Sequence, residues 1–455
     1  MAAEVSMTKG SIARQMIFFA VPIFLGELFQ QLYNTADSFI VGNFAGPESL
    51  AAVASSMSLI QLLVGFFNGM AMFASVVISQ SFGAQNYKKM SEVIHSTVLM
   101  GIVISIVLTA IGMWATPSIL EWMGTPADVM DLSVDYLEII FAGMTGLVMY
   151  HLFSGIMRAV GDSKTPLYFL IFTSMLNCVL DVIFVAGFGW GVKGAGWATI
   201  LCQFLSALLA GIVLMRCEGP HRIDLVKIRF YPGPMWEVIR FGFPTAVQNC
   251  IISFANVFVQ SNINAFGSSA MAGSGVYSKI EGFVFLPIMS FNMAISTFVG
   301  QNIGALNRER TRKGARFGVL CSVAAAEAVG ILFFIFAPEL TSLFVSDPAV
   351  IAYGVLRARN NALFYFLLAF SHAVSAVLRG SGKPAVPMFV MLFCWCAVRI
   401  LLLSATAWMH NFTILSSVYP ITWSLSSIYF LFYWKSGKWM PEELRTSAAV
   451  QAQEA

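Results

Sequence analysis

Gln80-Ser-Phe-Gly-Ala-Gln-Asn86 returns 221 residues further on as Gln301-Asn-Ile-Gly-Ala-Leu-Asn307. A second segment repeats at the same offset: Arg158-x-x-Gly161-x-x-x-x-Pro166 matches Arg379-x-x-Gly382-x-x-x-x-Pro387. At an offset of 222, Pro22 meets Pro244, Asn34 meets Asn256 and Phe44 meets Phe266. One single-residue gap therefore superposes the first half of the chain on the second, and the fold is expected to be a duplicated one.

Composition says what is duplicated. The chain has 455 residues, of which 58% are hydrophobic and 11% charged, and its mean hydropathy is +0.77. Soluble domains carry about 25% charged residues, so too little polar surface is present to cover a globule in water. A soluble enzyme and a disordered chain are both excluded. A net charge of +3 is too small to point to nucleic acid. The seven cysteines show neither CxxC nor Cys/His ligand spacing and read as small apolar residues in helices. Met1 to Gln15 is polar, and Glu27 interrupts the apolar run that follows. That run is expected to be a first membrane helix rather than a cleaved leader.

Runs of about 20 apolar residues, the length of a membrane helix, number twelve: 14–38, 50–78, 92–115, 134–157, 166–188, 192–215, 236–263, 273–300, 316–337, 354–378, 386–407 and 413–434. With both termini and the loops after even-numbered helices on one side, that side collects 21 of the 26 Lys and Arg. The positive-inside rule makes it cytoplasmic. The opposite loops, including a long one at 116–133, then face outward. Six helices per half is an even number, so both halves enter the membrane in the same sense. The expected architecture is an all-α polytopic membrane protein, with two six-helix lobes related by a pseudo-two-fold and a cavity between them. The N-terminal lobe would span 1–225 and the C-terminal lobe 226–440, with a cytoplasmic tail at 441–455.

Charge in a bilayer costs about 2.5–3.5 kcal/mol at a helix centre on insertion scales, so each buried ionisable group needs a reason. Helical periodicity puts Glu27, Gln31, Asn34 and Ser38 on one stripe of the first helix, with Gln30 and Asp37 on its flank. The repeat maps that stripe onto Asn249, Ser253, Asn256 and Gln260 of the seventh helix, so both are expected to line the cavity. Interhelical hydrogen bonding, worth about 0.6 kcal/mol per contact, is the alternative for the amides. In the fifth helix Asn177 and Asp181 lie one turn apart on one face, with Ser174 a turn earlier. Their repeat partners are Val398 and Leu402, and that of Asp37 is Val259, so these polar groups are not demanded by the architecture. The two aspartates are expected to share one site that takes a proton or, with neutral oxygens beside them, Na⁺.

In the second half, Lys279 with Glu281 and Arg357 with Arg359 are expected in the first turns of their helices, and Arg399 with Glu327 as a structural ion pair. His151 and His372 occupy matching places and are expected to pack. No phosphate-binding loop, HExxH or GxSxG is present. No catalytic residue and no cofactor is expected beyond a coupling ion, Na⁺ or H⁺. The run Gly191-Val-Lys-Gly-Ala-Gly196 is expected to be a turn with close helix packing.

The twelve helices, the two doubled segments, Asp37 in the first helix, Asn177-Cys-Val-Leu-Asp181 in the fifth and Gly194-Ala-Gly-Trp-Ala-Thr199 at the start of the sixth together resemble the multidrug and toxic compound extrusion (MATE) family. The resemblance covers roughly 14–435. It implies export of cationic amphipathic drugs from the cell in exchange for Na⁺ or H⁺, by alternating access of the two lobes, in a multi-pass cell-membrane protein. Its partners would be small molecules and membrane lipids rather than nucleic acid, and it would work as a monomer. Carried over position by position, the cation site would hold Asp37, Asn177, Asp181 and Thr199, with Na⁺ on Asp37, Asn177 and Asp181 if Na⁺ drives the exchange. The resemblance also places Gln30 and Tyr33 in the adjoining cavity. Some family members carry an acid in the seventh helix, whereas this one offers only Gln248, Asn249, Asn256 and Gln260. The basic residues of the second half keep open a lipid-linked saccharide flippase of the same superfamily. A non-transporting membrane scaffold is the remaining alternative.

Overall fold

The computed structural model of the protein describes residues 6–122 and 125–445, and among them there is no β-strand. Among the described residues nine helices are long and apolar enough to cross a membrane: Ile12–Phe44, Tyr87–Glu121, Lys164–Gly187, Gly191–Arg216, Pro232–Asn264, Ser268–Gly304, Arg308–Ile335, Ala385–Thr406 and Phe412–Lys435. Two more spans are broken pairs, Ala127–Ala142 with Met144–Ala159, bent by 47°, and Pro348–Ala362 with Tyr365–Gly380, bent by 56°. The helix Pro47–Gly83, of 37 residues, is the remaining one and brings the spans to the expected twelve. Apolar side chains such as Phe39, Trp114, Met175, Leu320 and Phe389 are exposed, as they are on a surface solvated by lipid.

The repeated segments turn out to be chain-reversal signals. Gln85 and Leu306, at the same place in the two copies, adopt left-handed backbone conformations with φ of 54° and 55°. The asparagine that follows caps the next helix: Asn86 Oδ1 accepts from the Lys89 amide at 3.1 Å and Asn307 Oδ1 from the Arg310 amide at 3.1 Å. The breaks in the fourth and tenth spans also correspond. The duplication is thus written in the turns as well as in the spans.

Two differences from the sequence reading concern helix limits. The third helix runs on through Pro117 to Trp122 and the fourth starts at Ala127, so much of the outward loop expected at 116–133 is helical. Backbone hydrogen bonding carries these helices past the apolar stretch. Lys279 and Glu281 sit three turns inside Ser268–Gly304, deeper than the first turn expected for them.

Contacts divide the chain into two compact units: Leu25–Gly242, and Met7–Phe24 together with the chain from Phe243 onward. The duplicated halves, with their boundary at 225/226, are divided differently. The first and seventh helices each change unit beside a proline, Pro22 and Pro244. Hydrogen bonds explain the division. In the second unit the Arg310 guanidinium donates to the carbonyls of Met7, Lys9 and Gly10 at 3.0, 3.2 and 2.7 Å and to Gln15 Oε1 at 2.6 Å. Gln301 Oε1 accepts from the Met7 amide at 2.8 Å. In the first unit Ser96 Oγ accepts from the Tyr231 amide at 2.9 Å, Lys89 pairs with Glu237 at 2.7 Å, and Phe241 stacks on Phe73. Within the tail expected at 441–455, Glu442–Arg445 is helical and Leu444 is buried in the core of the second unit, while 446–455 lie outside the described residues.

Candidate cation site in the first unit

Asn177 and Asp181 are one turn apart on the fifth helix, so their side chains project together. Immediately after Asp181 the helix widens into a π-helical turn, Val182–Gly187, of a kind frequent at functional sites, and a similar turn spans Leu392–Val398 in the second unit. The chain then reverses into the sixth helix through Gly189 and Gly191, both with positive φ. Gly194 packs directly on the fifth helix: a Cβ there would lie 2.9 Å from the carbonyl carbon of Phe184. The glycine-rich run is therefore a turn with close packing, and it sets the register that brings Thr199 toward Asn177.

Tyr33, Asn177 and Thr199 line a common cavity of about 20 Å³ with Leu170, Thr173, Ser174, Cys202, Gln203 and Ser206. That is room for roughly one water or one small ion. Asp181 is 0% exposed, Asn177 2% and Asp37 9%. Neither carboxylate oxygen of Asp181, neither amide atom of Asn177 and not Oδ1 of Asp37 has a hydrogen-bond partner, and the same holds for Ser174 Oγ and Gln203 Oε1. Asp37 is within electrostatic reach of Asp181, and Tyr33 and Tyr136 lie within reach of both. Buried polar atoms are almost always paired in a folded protein. A cluster of this size without partners marks a candidate binding site. Hard oxygen donors of this kind accept a proton or a hard cation. Among the described residues no three His, Cys, Asp or Glu side chains are grouped to hold a metal ion.

Tyr136 was not singled out in the sequence, since a tyrosine in a membrane helix is ordinary. Its one distinguishing mark is that the repeat maps it onto Arg357. Cys202 and Gln203 were likewise hidden in an apolar helix.

The remaining expected residues divide by unit. Glu27, Gln30, Gln31 and Asn34 are half-buried on the first helix, and Arg158 is the charged neighbour of Glu27. In the second unit Asn249 is half-buried, while Asn256 and Gln260 are exposed. Asn256 accepts from Arg399, and Gln260 Nε2 donates to Asn264 Oδ1 at 2.9 Å. The expected Arg399–Glu327 pair is not formed. Glu327 instead accepts from the Phe366 amide at 2.8 Å at the break of the tenth span, and Arg399 donates to Asn256 and Thr422. His372 packs edge-on against Phe285 and Trp395, as a packing histidine does.

A duplicated twelve-helix bundle with unpartnered carboxylates buried at membrane depth is the build of a membrane transporter. A model of the MatE family matches the chain twice, over residues 22–183 and again over 244–403. The chain belongs to the MatE family. It is 28% identical over 441 residues to "Probable multidrug resistance protein YoeA" of Bacillus subtilis (strain 168), covering 94% of this chain and 95% of that one. It is 29% identical over 396 residues to "Probable multidrug resistance protein NorM" of Thermotoga maritima, covering 85% and 84%. Among solved structures it shares its fold with one described as an outward-facing multidrug resistance MATE family transporter of the MOP superfamily, at a TM-score of 0.89 and 22% identity over 97% of this chain and 99% of that one. A MOP superfamily transporter from Pyrococcus furiosus Vc1 matches equally, with a TM-score of 0.89, 23% identity and coverage of 96% and 98%.

Proposed function

We propose that the protein is a secondary active exporter of cationic amphipathic compounds. Asp37, Asp181, Asn177 and Thr199 bind the coupling ion, Na⁺ or H⁺, and the two lobes alternate in exposing their guest sites to either side of the membrane. The observation that carries this reading is the unpartnered state of Asp37, Asn177 and Asp181, of which Asn177 lines a cavity of single-ion size with Tyr33 and Thr199. Two buried carboxylates repel each other and lack solvation, so an inward-moving cation or proton lowers the free energy of the site when it arrives. Its departure restores the repulsion, and a conformational equilibrium biased by that difference is the element a gradient can drive. The half-buried polar stripe of Glu27, Gln30, Gln31 and Asn34, with Tyr33, lines the path of the guest. Glu27 supplies the negative charge that a cationic compound requires. Both termini lie in the cytoplasm on this reading, as the distribution of Lys and Arg requires. The relatives named multidrug resistance proteins point the same way.

Purified protein in liposomes tests the reading. A fluorescent organic cation should move against its gradient when either a Na⁺ or an H⁺ gradient is imposed alone, and the effective ion is the coupling ion. Absence of movement under both gradients, by protein shown to be folded, contradicts the proposal.

A further inference from the structure

The second unit carries two buried arginines near the positions that correspond to the aspartate cluster. The repeat maps Tyr136, which lies within electrostatic reach of Asp37 and Asp181, onto Arg357, and Asn177-Cys178 onto Val398-Arg399. Arg357 is 4% exposed and Arg399 2%. Both guanidiniums stack on one ring, that of Tyr419, at 5.4 Å for Arg357 and 4.3 Å for Arg399. Arg357 also covers Tyr277 at 4.6 Å. Among the described residues neither arginine forms a salt bridge. Arg399 donates to Asn256 Oδ1 at 3.3 Å and to Thr422 Oγ1 at 3.2 Å, and its Nε has no partner. Arg357 Nε and Nη1 have none either. Glu281 is within electrostatic reach of both, but its Oε1 accepts from the Tyr277 hydroxyl at 2.6 Å. That hydroxyl also meets Tyr365 and Asn361, each at 3.0 Å.

Two buried cations against one carboxylate leave an excess positive charge. Aromatic faces stabilise a desolvated guanidinium, but by less than burying an unpaired ion costs. The free N–H groups are directional and want an acceptor. Asn256 is exposed, so the cluster is open on the side where Arg399 meets the seventh helix.

We propose that Arg357 and Arg399 form an anion site in the second unit, which takes one monovalent anion the size of a halide or a carboxylate group. The anion is either a free ion from solution or the carboxylate of a zwitterionic amphipathic guest. The guest alternative rests on the export reading, whereas anion binding itself does not.

Thermal unfolding of the purified full chain in detergent tests the site, with sodium chloride or sodium acetate replacing sodium isethionate, a sulfonate that is neither halide nor carboxylate, at constant ionic strength. The midpoint should rise by about 1–2 °C per tenfold increase in chloride or acetate above the dissociation constant, as for any ligand that binds only the native state. Arg357→Gln should remove this dependence. Asn256→Asp guards against a misfolded arginine variant, because it sets a carboxylate of the same shape against Arg399. It should raise the midpoint in isethionate and abolish the response to chloride. No anion dependence in the parent protein, or an unchanged dependence in a folded Asn256→Asp protein, overturns the proposal. A second arm compares binding of a cationic rhodamine ester with that of the zwitterionic rhodamine acid. Competition by chloride against the acid alone, lost in Asn256→Asp, assigns the site to a guest carboxylate. Equal insensitivity of both dyes, with the chloride-dependent midpoint intact, assigns it to free halide.

Discussion

Asp181 and Leu402 hold the same place in the two halves of the chain, and their surroundings are opposite in kind. Asp181 is wholly buried with both oxygens unpartnered. Leu402 packs against a cluster of Val259, Ile263, Leu403, Phe412 and Leu415. Val259 in turn is the counterpart of Asp37. Where the first unit gathers carboxylates, the second has an apolar cluster, and the proposed coupling site lies with the carboxylates.

Asp181→Asn should abolish gradient-driven export while the protein still inserts and folds, since the side chain keeps its shape and loses only the charge that holds the ion. Asn177→Ala removes a neutral donor and should weaken coupling by about tenfold, the equivalent of one hydrogen bond of roughly 1.4 kcal/mol. Export from liposomes, normalised to protein incorporated, measures both. Full activity of Asp181→Asn would place the ion elsewhere.

Moving the carboxylates across should fail. Val259→Asp with Leu402→Asp, in a background of Asp37→Asn and Asp181→Asn, would put two charges into the cluster around Ile263 and Phe412, with no counterpart to Asn177 beside them. Export should not return, and the unfolding midpoint should drop, since an unpaired buried charge costs several kcal/mol. A stable, exporting swapped protein would show that the units are interchangeable.

Tyr136→Phe deletes a hydroxyl within electrostatic reach of the aspartate pair and leaves the ring in its buried place. Coupled export should fall by about tenfold with the unfolding midpoint little changed. A loss of stability without a loss of coupling would make Tyr136 a packing residue only.

The packing of the eighth helix makes a test remote from the ion. A Cβ on Gly273 would stand 2.5 Å from the Val350 carbonyl oxygen and 2.9 Å from the Gly354 amide nitrogen, both backbone atoms that no rotamer change can move. Gly273→Ala should therefore destabilise the second unit by about 1–3 kcal/mol, read as a lower unfolding midpoint.

What could be read in the sequence follows from the range of each interaction. The spans were legible because twenty apolar residues in a row have one physical home, and the duplication because Asn86 and Asn307 are local caps with fixed spacing. Asp37, Asn177 and Asp181 stood out because a carboxylate in an apolar run costs free energy wherever it points. Rotation about the helix axis and tertiary partners were not legible. Glu327 and Arg399 looked like a pair, yet each had a backbone or side-chain partner elsewhere. The division of the first helix between the two units depends on Arg310 reaching the carbonyls of Met7 and Gly10, a contact across 300 residues of chain. Tyr136 became visible only once it faced Asp37.

The most direct test of ion coupling at the Asp37–Asp181 cluster needs no vesicles. A guest cation added to purified protein in weakly buffered solution should displace the coupling ion, and the displaced H⁺ or ²²Na⁺ can be counted. The intact protein should release about one ion per guest bound near neutral pH. The Asp37→Asn, Asp181→Asn protein should still bind the guest and release none. Equal release by both proteins would contradict the assignment.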